Sequence, residues 1–344
     1  MTTHVHFVGS IGLDTVDEVL GTVGPELGPR LKRCPDGEVG GRRLWITWQW
    51  PLLRSSPYLQ VDEQSLIPGL GLCRLRLAPG ARAADLAFGE LGYAREARAS
   101  YQDFVAARTR GQIAPGTRFQ VSLPTPFAVV NAFVVPDDVP QVLPAYEAAM
   151  LREIGRLAAT VPPADLAIQW DVCMEMLVWD GRTAYLPRIP DMEPLFAATF
   201  ARLCGAVPRD AQLGFHLCYG DLDAEHAVQP LDLGKAVGMA NLLLRSSPRP
   251  VDWIHMPVPK ARDDAAYYAP LRDFAGTGTT ELYLGLVHAG DGAAGTLRRM
   301  QAAAPFAPGF GIATECGIAR ARRAELVREI IHVHAEAARR FDAG

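Results

Sequence analysis

His216 and Cys218 stand two residues apart in the run Ala211-Gln-Leu-Gly-Phe-His-Leu-Cys-Tyr-Gly-Asp221, an apolar stretch that turns polar just before a glycine. On a β-strand successive side chains alternate between faces, so His216 and Cys218 point one way and Phe215, Leu217 and Tyr219 the other. An imidazole and a thiolate aimed together suit zinc, and two ligands from one strand leave room for a third and for an open position. Taken alone, the pair equally describes a buried cysteine beside a hydrogen-bonded histidine. A second run of the same form, Phe310-Gly-Ile-Ala-Thr-Glu-Cys316-Gly317, answers it far downstream.

Elements must then bring these two runs together. Short apolar runs ending in polar residues or glycine occur at His4–Ser10, Cys34–Glu38, Thr117–Pro124, Leu166–Asp171, Leu213–Cys218, Asp252–Pro257, Leu282–His288 and Gly311–Cys316. Helical patterns follow most of them, at Thr15–Leu27, Pro140–Leu157, Met192–Leu203, Leu231–Leu244, Asp264–Phe274, Ala293–Ala303 and Arg320–Arg340. Eight strand-like runs alternating with helices predict a TIM (β/α)8 barrel, a single domain over 1–344. An open doubly wound sheet is the competing α/β architecture, but no G-x-G-x-x-G follows the first run. Residues 39–115, Pro-rich with one helix near Leu86–Arg108, read as an insertion or lid after the second strand. Its Trp45, Trp48 and Trp50 read as core packing sooner than as a substrate platform.

A barrel places its active site where strand C-termini meet the following loops. Ser10, Glu38, Asp171, His216 with Cys218, His255, His288 and Cys316 all fall at such positions. His4-x-His6 on the first strand raises a rival plan, that of metal-dependent amidohydrolases. The pair precedes the strand end at Gly9-Ser10, however, which directs it to the barrel floor or core. His332 and His334, on the last helix, read as surface or packing residues.

Bulk properties exclude several function classes. The 344 residues carry 34 basic and 38 acidic side chains, a formal net charge of -4, with 49% hydrophobic residues and no long basic stretch, so neither nucleic acid nor a membrane surface is an expected partner. No apolar run reaches membrane-spanning length and the N-terminus lacks a signal-like block, so a cytoplasmic location is expected. The six cysteines, Cys34, Cys73, Cys173, Cys204, Cys218 and Cys316, are too scattered for a disulfide framework and read as thiols or metal ligands.

Val8-Gly9-Ser10, Asp36-Gly37-Glu38, Gln169-Trp170-Asp171, His216-Leu217-Cys218-Tyr219-Gly220, Leu284-Gly285-Leu286-Val287 and Glu315-Cys316-Gly317, in that order, resemble the C-terminal catalytic barrel of the cobalamin-independent methionine synthase family. The resemblance implies that His216, Cys218 and Cys316 bind Zn2+, and that a substrate thiol joins the metal as a thiolate before attacking a methyl donor. It also implies that Ser10, Glu38 and Asp171 hold the amino-acid end of the substrate. The family's further zinc ligand is a Glu on the strand after His-x-Cys; here that strand reads Ile254-His255-Met256-Pro257, so His255 is taken as a substitute ligand or an acid/base group. His288 and Asp291 occupy the neighbourhood of the family's later histidine and aspartate and are candidate catalytic residues with His255.

Neither a second barrel half nor a folate-stacking Trp near Pro124-Thr125-Pro126 is present. The expected function is therefore a zinc-dependent methyl or alkyl transferase acting on a small thiol or amino-acid-like substrate. Its donor could be methylcobalamin or a corrinoid protein, a folate, or a methylated or epoxide-type molecule. Two alternatives use the same residues: a zinc lyase or hydrolase working through metal-bound water, and a non-enzymatic metallochaperone or corrinoid-binding partner. The uroporphyrinogen-decarboxylase-like barrels would leave the two cysteines unexplained.

Overall fold

The computed structural model describes residues 2–183, 186, 189–221, 225–276, 278–307 and 309–344. Seven parallel strands form one sheet: β1 (Arg33–Pro35), then, beyond a hairpin of β2 (Leu59–Ile67) and β3 (Leu72–Leu77), β4 (Arg118–Pro124), β5 (Leu166–Val172), β6 (Gln212–Leu217), β7 (Trp253–Pro257), β8 (Glu281–Val287) and β9 (Gly311–Thr314). Their spatial order, β1-β4-β5-β6-β7-β8-β9, follows the chain without reversal. A doubly wound sheet needs such a reversal at its switch point, so that architecture is excluded. Strands covered on both faces read as continuous apolar runs, and every residue of β5 and β7 is buried.

The expected first strand, His4–Ser10, is an extended segment with isolated bridges and no ladder. Val5 pairs in parallel with both Leu31 and Ile312, Ser10 with Gly37, and Ile11 with Ile318, so the segment reaches both edges of the curled sheet. Side chains from β4 bond carbonyls of this segment. Gln120 Nε2 donates to Phe7 O at 2.9 Å, and Ser122 Oγ to Val8 O at 2.7 Å. The result is an α/β fold consistent with a TIM-like barrel.

Helices lie between the strands: α1 (Val16–Leu27), α2 (Trp50–Arg54), α3 (Tyr93–Thr109), α4 (Pro126–Phe133), α5 (Val139–Thr160), α6 (Met174–Asp180), α7 (Met192–Ala206), α8 (Gly234–Ser246), α9 (Ala265–Tyr268), α10 (Gly292–Ala303) and α11 (Ala324–Ala343). Thr15 Oγ1 caps α1 by accepting from Glu18 N, which satisfies one of the first-turn donors. The helix expected over Asp264–Phe274 is split: after α9 the chain continues as a 3-10 turn, Ala269–Asp273, with Pro270 in its first turn. The ring of Pro270 removes the donor that an unbroken helix would need there.

The strands' N-terminal ends are plugged by polar residues paired with one another. Arg33 at the start of β1 bonds Gln212 at the start of β6 (2.7 Å) and Glu281 at the start of β8 (2.9 Å), and its guanidinium lies 4.2 Å above the Trp253 ring. Above this layer, His6 Nε2 meets Gln169 Oε1 at 2.8 Å. His6 thus belongs to the core, as its position before the strand end suggests. The opposite end, where the C-termini gather, carries the cavity.

Candidate metal centre

β6 ends in His216 and Leu217, and Cys218 follows at once; β9 ends at Thr314, two residues before Cys316. These turns bring His216, Cys218 and Cys316 together, all buried, with one ligand atom from each lying within 4.8 Å of the others. The two sulfurs are 3.9 Å apart and Cys316 Sγ is 3.8 Å from His216 Nε2. Thr314 Oγ1 donates to Cys316 O at 2.7 Å, fixing the turn that presents the second thiol.

Hydrogen bonds also set the state of the His216 ring. The carbonyl of Thr314 only accepts, so His255 Nε2, 3.0 Å away, carries the proton. His255 Nδ1 is then a bare acceptor for His216 Nδ1–H at 2.7 Å, and His216 Nε2 is left with its lone pair facing the thiols. Burial, and then the neighbouring His255, lower the pKa of His216 well below its ordinary value, keeping it in the neutral form that binds metals. The thiols are perturbed upward. A hydrogen bond with Cys173 and then burial raise Cys218, and the bond with Cys218 followed by burial raises Cys316.

This chemistry fits a soft divalent ion: two thiols and an unprotonated imidazole nitrogen converge in a buried place where thiolates need a cation beside them. Cys173 belongs to the same buried cluster of thiols, and Trp45 packs against it. All six cysteines are free thiols.

The trio forms one wall of a cavity of about 720 Å³, whose lining also includes Ser10, Glu38, Asp171, Trp45, Asp221 and Arg320. Period two along β5 points Gln169 and Asp171 inward together, with Asp171 paired to His216 in register, and Cys173, the next residue after the strand, also lines the cavity. Gln169 Nε2 donates to Asp171 Oδ1 at 2.9 Å and Trp45 Nε1 to Asp171 Oδ2 at 3.2 Å. Burial nonetheless pushes the Asp171 carboxyl up to about 7. Burial first, then Asp171, holds Glu38 well above the carboxylate range as well. Two carboxyls that resist ionising side by side are poised to accept a cationic ligand, which would bring both back down.

Glycines permit this crowding. A Cβ on Gly317 would stand 2.1 Å from Ser10 Oγ, and one on Gly9 2.7 Å from Glu38 Oε1. The Gly-Ser and Cys-Gly pairs are therefore two sides of one contact. Asp36 is structural: it accepts from Ser100 Oγ at 2.6 Å and pairs with Arg42 at 2.8 Å.

Other expected site residues stand apart. His255 has both ring nitrogens engaged and sits behind His216, outside the compact trio. His288 Nε2 bonds Val258 O at 2.9 Å, and its other nitrogen lies 4.0 Å from Glu315. Asp291 grips Arg299 with both oxygens, at 2.7 and 2.9 Å, at the start of α10. Neither His288 nor Asp291 lines the cavity. His332 pairs with Glu26 on the surface, and His334 is buried against Ile330 O.

Arg320 and His226 line the cavity without having been singled out in the sequence, Cys173 does so as one of six scattered thiols, and Trp45 does so although it reads as core packing. Trp48 and Trp50 do pack as expected, the first edge-on to Tyr93 and the second bonding Cys73 O. Trp45 instead turns into the site from a backbone with φ of 57°. Arg320 lies 3.7 Å from both Cys316 Sγ and Asp221 Oδ2. His226 lies 3.4 Å from Glu315, whose carboxyl burial and then Asp221 push up to about 7.

Fold and site together define an α/β chain with a curled parallel sheet and a His-Cys-Cys cluster at the C-terminal ends of its strands. No family model matches the sequence, and no curated protein matches it. Among solved structures it is similar to a B12-independent methionine synthase from Shewanella sp. W3-18-1 in complex with selenomethionine, at 12% identity and a TM-score of 0.63, over 100% of this chain and 98% of that one. It is likewise similar to a Listeria monocytogenes protein provisionally assigned as a vitamin-B12-independent methionine synthase, at 12% identity and a TM-score of 0.59, over 99% of both chains. Identity this low establishes a shared fold.

Proposed function

We propose that this protein is a zinc-dependent methyl or alkyl transferase whose acceptor is a small, amine-bearing thiol. The observation that carries the reading is the buried trio His216, Cys218 and Cys316, within 4.8 Å of one another on the wall of a cavity that also holds Ser10, Glu38 and Asp171. The methionine synthases of like fold support it. His216 Nε2 and the two sulfurs would hold the ion. When bound, zinc lowers the pKa of a coordinated thiol so that it is a thiolate near neutral pH.

The chain's own residues do the rest. Asp171 and Glu38 take the ammonium group, each carboxyl surrendering its raised pKa as the cation arrives. Ser10 stands against Gly317 on the same side and adds a hydroxyl for the substrate's carboxylate or amine. His255 orients the His216 ring from behind, the usual task of a group one layer out from a metal. Leu44, Ile46, Ile67, Leu70, Met174 and Leu177 give the cavity an apolar side where a donor can pack and water is excluded. Ile67 to Leu70 lie at the β2–β3 turn, so the segment between β1 and β4 shapes the donor side. Zinc held by two thiolates and one imidazole can also activate water, so the hydrolytic alternative is placed second by the paired carboxyls Glu38 and Asp171, which suit an amine-bearing substrate, and by the methionine synthases of like fold.

Cobalt substitution tests this reading. Binding of an amine-bearing thiol should shift the sulfur-to-cobalt charge-transfer bands. A metal centre whose spectrum no thiol alters would remove the transferase reading.

A further inference from the structure

Three ligands leave a tetrahedral zinc one short, and β7, the strand after His216 and Cys218, offers His255 with both nitrogens engaged. β5, the strand on the other side of β6, offers a thiol. Asp171 pairs with His216 and Val172 with Leu217, and Cys218 N donates to Val172 O at 3.0 Å. One step further along, Cys173 and Cys218 are neighbours at the ends of adjacent strands. Cys173 is buried, packs with Cys218 and Cys316, and lines the cavity. It stands just outside the compact trio, packed against it.

We propose that Cys173 is the fourth protein ligand of the resting metal centre, and the one that yields its place to the substrate thiol. The proposal rests on the zinc reading above and adds to it a residue with a stated task. Asp171, near the end of β5, and Cys173, the first residue after it, line the same cavity, so a substrate anchored on Asp171 by its ammonium can present its sulfur beside Cys173. The exchange balances: the bond from Cys173 Sγ to the ion breaks, one from the incoming sulfur forms, and the thiol's proton passes to Cys173 Sγ. Thiolate count and charge at the metal stay the same, and no outside base is needed. As the first residue before α6, Cys173 shares a segment with Met174 and Leu177 of the cavity wall, so its release is felt directly on the donor side.

X-ray absorption at the metal counts the sulfurs. The zinc-loaded wild type should show three sulfurs and one nitrogen. Cys173→Ser and Cys173→Ala should keep one metal per chain with two sulfurs, and their cobalt forms should lose about one third of the charge-transfer intensity, one thiolate of three. With 2-aminoethaneselenol, the wild type should exchange one sulfur for one selenium, whereas both variants should gain selenium and lose no sulfur. Two sulfurs in the wild type, or variants with an unchanged sulfur count, overturn the role of Cys173 and leave the trio standing. Selenium binding with all three sulfurs retained overturns the displacement. A wild type that binds no zinc overturns both this proposal and the function it rests on.

Discussion

His216 Nδ1 lies 2.7 Å from His255 Nδ1, and His255 Nε2 lies 3.0 Å from the carbonyl of Thr314, only two residues before Cys316. The two halves of the metal centre, one on β6 and one after β9, are therefore coupled through the ring of a third residue. Because the carbonyl fixes the tautomer of His255, and His255 fixes that of His216, one nitrogen of His216 is kept free for a metal.

The first prediction concerns that relay. His255→Phe keeps an aromatic ring but removes both hydrogen bonds, so His216 is free to turn and to change tautomer. Metal affinity, measured by competition with a chelator, should fall roughly 10- to 100-fold, the usual effect of losing a partner behind a ligand. The cobalt spectrum of the saturated variant should stay essentially that of the wild type. Loss of metal as complete as in Cys218→Ser would instead make His255 a ligand.

Asp171 and Glu38 supply the second. Asp171→Asn and Glu38→Gln each remove a charge facing the substrate's ammonium while retaining the shape. A buried charged hydrogen bond contributes about 1.5–3 kcal/mol, so binding of an amine-bearing thiol should weaken on the order of 10- to 100-fold. The same thiol without its amine should bind wild type and variants alike. Equal weakening for both thiols would show that the carboxyls act on something other than the ammonium.

The third is a pH dependence of stability set at the floor, away from the metal. Burial opposes the charge of Glu281, but Arg33 and Lys32 outweigh it and hold the carboxyl down at about 2. An acid whose pKa is lower in the folded state stabilises the fold at pH above its unfolded value of about 4.3 and loses that contribution as pH falls toward the folded one. Urea denaturation of Glu281→Gln should show lower stability than wild type at pH 6 and a difference that closes between about pH 4 and pH 2. A difference independent of pH would contradict the ion-pair assignment.

How far the sequence went depends on which physical signal each residue leaves. Strand ends were legible because a fully buried strand is apolar until it reaches the cavity, so Asp171, His216 and Cys218 stand out as abrupt polar terminations. Cys173 was not, since Asp171 already seemed to end the run. Its place directly after the end of β5, where loop residues meet the cavity, was the signal that could have found it. Trp45 enters the site through a left-handed backbone that a tryptophan rarely adopts, which no propensity anticipates. The β2–β3 hairpin was hidden because much of β2 is exposed and its pairing shifts register between Val61 and Leu66, which erases the alternation that marks a strand. His288 follows the end of β8 and Asp291 precedes α10, but Val258 and Arg299 bind their side chains outside the cavity lining, and such partners are visible only in three dimensions.

The most direct test of the account is the metal content of the purified wild type beside Cys218→Ser and Cys316→Ser, each first shown to be folded by its circular dichroism. The account predicts close to one zinc per chain in the wild type and nearly none in either variant. One zinc per chain in all three would contradict the assignment of the metal to His216, Cys218 and Cys316.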